Sequence, residues 1–115
     1  MRSSISASDY GRFAESLAAM WLRLRGYRIV GRNVRVAGRE VDVVARRGRT
    51  LVVCEVKARR SVSRGAPAEA IDLRKQRRLR EAGEVLLAVH DGVERLRFDV
   101  IAVDGLRVTH FPAAF

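Results

Sequence analysis

Apolar positions along the chain fall into seven alternating patterns. Tyr10, Phe13, Ala14, Leu17, Ala18, Trp21 and Leu24 recur at i, i+3, i+4 spacing, which predicts a first helix capped by Ser8 or Asp9 and ended by Gly26. Residues 27–36 predict a strand with an irregularity at Gly31 and a turn at Ala37-Gly38. Residues 40–45 predict a second strand, Arg46-Arg47-Gly48-Arg49 a polar hairpin turn, and residues 50–57 a third strand. That third strand carries the unbroken apolar run Leu51-Val52-Val53-Cys54, the signature of a buried strand. A mobile basic loop over 58–66 and a short helical turn over 67–71 follow. Asp72 is placed to cap a long helix over 73–89, with Leu79, Ala82, Gly83 and Leu86 on its apolar face and Arg74, Arg77, Arg78 and Arg80 mostly off it. Strands over 95–103 and 106–111, parted by Asp104-Gly105, complete the order α-β-β-β-α-β-β. Three strands joined by short turns make an antiparallel meander. The crossover helix then returns the chain in parallel, so the expected fold is α/β, a mixed sheet flanked by helices.

At 115 residues the chain is expected to form one domain over 1–115, with about the first eight residues disordered. No stretch approaches the roughly 20 apolar residues of a membrane span, and the first residues lack the apolar core of a secretory signal. The single cysteine, Cys54, sits inside an apolar strand and is expected in the core. These features predict a cytoplasmic protein with no membrane partner.

Charge changes the picture. With 23 Lys+Arg against 13 Asp+Glu the net charge is +10, which on a small domain points to nucleic acid. Codon bias can trade lysine for arginine, but it does not readily create a net charge. Only Lys57 and Lys75 are lysines. Lysine can tune its pKa beside a metal and a carboxylate where arginine cannot, so its survival next to Glu55 favours chemistry at Lys57.

Glu55-Val56-Lys57 closes the buried strand, and alternation places Glu55 and Lys57 on one face with Val52, Cys54 and Val56 on the other. On the preceding strand the same rule puts Glu40 and Asp42 on one face and Val41 and Val43 on the other. Pairing of the two strands would bring Asp42 beside Glu55, and two carboxylates that close repel unless a cation lies between them. Magnesium suits such a pair, since it takes few carboxylates and completes its sphere with water and phosphate. Lys57 would position or deprotonate the attacking water. The plain alternative is a solvated strand end with a Glu–Lys pair. Glu15 lies near the apolar stripe of the first helix, as a solvated glutamate or as an acid that ligates the metal or supports its ligands. His90 and His110 have no ligand spacing and are read as structural.

Several segments together resemble the YraN-like family of the restriction-endonuclease-like, or PD-(D/E)xK, superfamily. They are Gly11-x-x-x-Glu15, Gly26-Tyr27, Asn33, Gly38-Arg39-Glu40-Val41-Asp42, Val53-Cys54-Glu55-Val56-Lys57-Ala58-Arg59, Lys75-Gln76-Arg77-Arg78 and Arg97-Phe98-Asp99-Val100. The resemblance implies a restriction-endonuclease-like fold in which Asp42, Glu55 and Lys57 match the catalytic acids and lysine. Glu15 matches the helix-borne acid of a subgroup similar to archaeal Holliday-junction resolvases, and Gln76 a polar residue near the site. Ala14 and Val41 depart from the common glycine and isoleucine without touching the chemistry.

The expected function is a Mg²⁺- or Mn²⁺-dependent endonuclease acting on DNA, with Asp42 and Glu55 as metal ligands. Arg59, Arg60, Arg64, Arg77 and Arg78 would contact phosphates. The resolvase likeness suggests branched DNA and a homodimer able to cut two strands. The rivals are a non-catalytic DNA- or RNA-binding module of the same fold and, less well supported, a ribosome-associated interaction protein.

Overall fold

The computed structural model describes residues 7–59 and 71–115. The elements run α1 (Ala7–Leu24), β1 (Arg28–Val36), β2 (Arg39–Arg47), β3 (Thr50–Arg59), α2 (Leu73–Val89), β4 (Arg95–Asp104) and β5 (Arg107–Phe111). They follow the expected order, with differences at the ends. Helix α1 begins at Ala7, ahead of the predicted cap, so of the first eight residues expected to be disordered the last two are helical. Residues 1–6, the loop over 60–66 and the helical turn predicted over 67–70 lie outside the described residues.

The α1 terminus shows why the chain turns where it does. The Tyr27 amide donates to the Leu22 carbonyl at 3.0 Å and the Gly26 amide to Arg23 at 3.1 Å. Gly26 takes φ +90°, so these bonds form the left-handed cap that satisfies the last carbonyls of a helix. Tyr27 and Leu22 then enter the same apolar layer. Helix α2 begins as predicted, with the Lys75 amide donating to Asp72 Oδ1 at 2.8 Å. Within it Gly83 is buried, and its missing side chain makes room for Phe98, since a Cβ there would meet Phe98 Cζ at 2.9 Å.

The five strands form one mixed sheet in the order β1-β2-β3-β4-β5. Pairs β1/β2, β2/β3 and β4/β5 are antiparallel, and β3/β4 are parallel from Thr50↔Arg95 to Arg59↔Asp104. Central β3 is covered on both faces, so Leu51, Val52, Val53 and Cys54 are all fully buried. Val52 and Cys54 pack with Ala14, Ala18 and Leu22 of α1, while Leu51 and Val53 pack with Leu79, Ala82 and Leu86 of α2. This is a helix–sheet–helix sandwich with one apolar layer on each face. No helix among the described residues is long and apolar enough to cross a membrane.

One expectation about β2 fails. Val41 and Val43, two residues apart, should share a face, yet Val41 packs in the α2-side layer and Val43 in the α1-side layer. The strand turns over at Asp42. Facing it on β1, Asn33 adopts φ +51°, a left-handed conformation that asparagine tolerates better than most residues. The β2/β3 ladder stops at Val43↔Cys54, while β2 stays paired to β1 as far as Val36↔Arg39. Beyond that point the β1–β2 hairpin peels away from β3.

A second polar feature lies on the α1 side of β4. Asp99 is fully buried and accepts bonds from Arg97 Nε and Nη2 and the Ala113 amide, with His110 Nε2 at 2.7 Å. Burial pushes its pKa up, but the bonds from Arg97, His110 and Ala113 outweigh it and hold the carboxyl below its usual range. Arg97 also donates to the Tyr27 hydroxyl at 2.7 Å, tying β4 to the end of α1. His110 thus has a structural partner, and His90 Nδ1 lies 2.7 Å from the Leu86 carbonyl.

Candidate functional site

The divergence of β2 from β3 leaves a cleft in which the predicted acids stand. Continued by one step, the β2/β3 register sets Asp42 opposite Glu55. With β2 gone, the Val56 amide has lost its ladder acceptor and donates to Asp42 Oδ2 at 2.9 Å. The carboxylate thus stands in for a backbone carbonyl and is fixed at the point where the strands part. Burial, and next the charge of Glu55, raise the Asp42 pKa to about 7, against the opposing Val56 bond. Glu15 of α1 adds its charge in the same direction, and Lys75 opposes it. Glu15 Oε1 is itself buried without a hydrogen-bond partner among the described residues.

Glu55 is only 5% exposed, and Lys75 Nζ lies 2.5 Å from its Oε2. Burial lowers the Lys75 pKa, but the hydrogen bond and charge of Glu55, with the charges of Asp42 and Asp72, outweigh it and leave the ammonium above its usual range. Lys75 was not among the residues picked from the sequence, although the scarcity of lysine applies to it as strongly as to Lys57. Lys57 is half-buried and follows Glu55 on the α2-side face, with no ion pair among the described residues.

Gln76 follows Lys75 on α2. Its Nε2 donates to the Ile71 carbonyl at 2.9 Å, so it fastens the entry into α2 and thereby the placement of Lys75. Arg77 and Arg78 are exposed on α2. The side chain of Arg59, and Arg60 and Arg64 entirely, lie outside the described residues. Beside the cleft a groove of about 260 Å³ is lined by Gly38, Arg39, Glu40, Lys75, Arg78 and Leu79. Arg39 is tied across it to Glu81 of α2 at 3.0 Å.

Among the described residues no three Asp, Glu, His or Cys side chains converge into a ready-made cage for a metal ion. The donors present nevertheless suit a hard divalent cation. They are carboxylate oxygens, Glu15 Oε1 lacks a partner, and magnesium needs only one or two carboxylates beside water and phosphate. Asp42 and Glu55 would hold it. Glu55 would then share its charge between the ion and Lys75.

Comparison with known proteins places this arrangement in a family. Residues 14–103 match the model described as "Uncharacterised protein family UPF0102". A UPF0102 protein of Syntrophotalea carbinolica is 46% identical over 111 residues, covering 91% of this chain and 89% of the relative. One of Anaeromyxobacter dehalogenans is 48% identical over 110 residues, covering 91% and 82%. One of Acidothermus cellulolyticus is 41% identical over 121 residues, covering 91% and 92%. The matched span holds Glu15, Asp42, Glu55, Lys57 and Lys75 together, and the chain belongs to the UPF0102 (YraN-like) family.

Proposed function

We propose that this chain is a divalent-metal-dependent nuclease of restriction-endonuclease-like fold that hydrolyses phosphodiester bonds in DNA. One observation carries the reading. Asp42 stands opposite Glu55 at a strand divergence, where burial first, then the charge of Glu55 and to a lesser degree that of Glu15, raise its pKa to about 7. Buried, mutually repelling carboxylates of this kind are a recurrent feature of sites that hold a cation or a proton. The net charge of +10 suits the polyanion that would bring the phosphate.

Magnesium or manganese, when bound, supplies a Lewis acid that polarises the phosphate and acidifies water. Asp42 and Glu55 bind and orient, with Asp42 held in place by the Val56 amide. Lys57 positions the attacking water or takes its proton. Glu15 supports the metal or Lys57 from α1. Lys75, already at Glu55, neutralises charge on the α2 side and leads to the groove of Arg39 and Arg78. Branched DNA and a homodimer cutting two strands belong to this proposal as its substrate and assembly, and the cytoplasm as its compartment.

The second reading, a non-catalytic nucleic-acid-binding module, is favoured by the Lys75–Glu55 ion pair. An acid neutralised from within the chain needs no metal. Incubating the purified protein with Mg²⁺ or Mn²⁺ and linear, flapped and four-way DNAs separates the two. The nuclease cuts at least one substrate, and Asp42→Asn does not. Binding without metal-dependent cleavage by either protein supports the module.

A further inference from the structure

The end of the sheet remote from the acids holds an arrangement that the proposed reaction does not use. The cap of α1 sets Gly26 beside the start of β1, and the β2–β3 turn brings Gly48 next to the end of β2. Between them a concavity of about 380 Å³ is lined by Gly26, Arg28, Arg46, Arg47 and Gly48. No acid lines it.

None of the three arginines is paired with a carboxylate among the described residues. Arg46 is anchored by carbonyls, its Nε donating to Gly48 at 3.0 Å and its Nη1 to Asp91 at 2.9 Å. Arg47 lies over the Tyr27 ring, 4.8 Å from its centroid. Arg28 is exposed and stands directly across from Arg46 in the β1/β2 register. Like charges placed opposite one another across strands are destabilising. Glu94, on the connection into β4, is held by Arg49 and so relieves none of them.

Protection of an edge strand explains arginines on β1, since charge blunts unwanted strand pairing. It does not explain Arg46 and Arg47, which lie on an inner strand. It also does not explain why carbonyls and an aromatic ring, which leave the charge intact, hold these guanidinium groups in place. We propose that Arg28, Arg46 and Arg47 form a second phosphate-binding pocket, separate from the acidic cleft. Guanidinium forks match phosphate oxygens in pairs, and the carbonyl anchors on Arg46 leave its Nη2 uncommitted.

The pocket's place fits a polynucleotide backbone. Arg46 and Arg47 are four and five residues beyond Asp42 on β2, about 13–17 Å at ~3.3 Å per residue. Exposed Arg32 and Arg35 continue the positive charge along β1. Each DNA strand carries a phosphate every ~3.4 Å of axis, so the pocket would take a phosphate about four or five steps from the cleft. Only that spacing rests on the nuclease reading. The pocket itself does not.

The test is run in chelator, so that no cleavage enters it. Amide resonances are followed as inorganic phosphate is titrated at constant ionic strength. In parallel, binding of a labelled duplex is measured against salt for wild type, Arg28→Gln/Arg47→Gln and Arg77→Gln/Arg78→Gln. Arg28 and Arg47 are exposed, so the variant should keep the wild-type melting temperature, and the Arg28→Lys/Arg47→Lys protein, which keeps the charge but not the forks, should keep the wild-type salt slope while binding more weakly. Phosphate should shift residues 26–28 and 46–48, and the pocket variant should lower the slope of log K against log salt by about 1.8. Shifts with an unchanged slope would assign the pocket to a free phosphate-bearing molecule. A lowered slope without shifts would assign it to the polynucleotide alone. No shifts and an unchanged slope would overturn the pocket while leaving the nuclease reading untouched, just as failure to cleave DNA would leave the pocket standing.

Discussion

Asp42→Asn should make the metal-free protein more stable, and the gain should grow with pH. The native Asp42 pKa of about 7, against an ordinary value of 3.8, means that the folded state keeps a proton the unfolded chain has released. Stability therefore falls as pH rises from about 4 and levels off above about 7. Integrating between the two values, the raised pKa costs about 2 kcal/mol of stability at pH 5 and about 4 kcal/mol at pH 8, relative to acid. Asparagine escapes this cost, and its carbonyl can still accept from the Val56 amide. The gain is then about 2 kcal/mol at pH 5 and about 4 kcal/mol at pH 8, roughly 15 °C in Tm at the higher pH. Urea unfolding of both proteins in chelator, from pH 5 to pH 8, reads the difference, and groups common to both cancel. Manganese at ten times its Kd should then stabilise wild type by about 1.4 kcal/mol and leave the variant unmoved. A variant no more stable than wild type at pH 8, or a difference flat with pH, would refute the buried and repelled Asp42 described here.

Lys57→Arg keeps charge but cannot serve as a base, so cleavage of a substrate that wild type cuts should fall by two or more orders of magnitude with DNA affinity within a few-fold. Wild-type rates would show that Lys57 supplies only charge. Lys75→Met should destabilise the metal-free protein by about 2 kcal/mol, less than the loss of a fully buried partner because Lys75 is 45% exposed. Unchanged urea denaturation would mean that the Glu55 pair contributes nothing. Asp99→Asn should cost about 3–5 kcal/mol at pH 7, since it leaves buried donors of Arg97 and His110 under-satisfied. The Asp99 carboxyl is held below its usual range, so its contribution is present above about pH 4 and fades as pH falls. A gap between Asp99→Asn and wild type that persisted undiminished in acid would count against that carboxylate as its source.

What could be read from the sequence, and what could not, divides along physical lines. Helix ends and turns were legible because their causes are local: Gly26 supplies a positive φ, Asp72 a capping oxygen, and Ala37-Gly38 a tight reversal. The face of Glu55 and Lys57 was legible because β3 is regular and buried on both sides. The face of Val41 was not. Alternation assumes an unbroken ladder, and β2 turns over where it leaves β3, a tertiary event with only Asn33 as a local trace. Asp99 was equally opaque, since its partners Arg97 and His110 and the Ala113 amide come together only when β5 and the residues after it close over β4.

Lys75 is a different kind of omission, because its signal was in plain view. A chain with 23 basic residues and only two lysines singles out both. Strand spacing drew attention to Lys57 alone, since only Lys57 lies next to Glu55 in sequence. The fold reverses the priority for direct contact. Lys75 reaches Glu55 from α2 at 2.5 Å, while Lys57 stands beside the cleft without an ion pair among the described residues. A lysine that bonds a buried carboxylate is costly to replace by arginine, whose broad planar fork needs more room and more acceptors than one half-sheltered oxygen provides. Under the proposed reaction Lys57 would instead position or deprotonate the attacking water, which a bulky guanidinium cannot do. On that reading Lys75 serves the ion pair with Glu55 and Lys57 the chemistry. Lys75→Arg should then disturb stability more than Lys57→Arg, and Lys57→Arg should disturb catalysis at least as much.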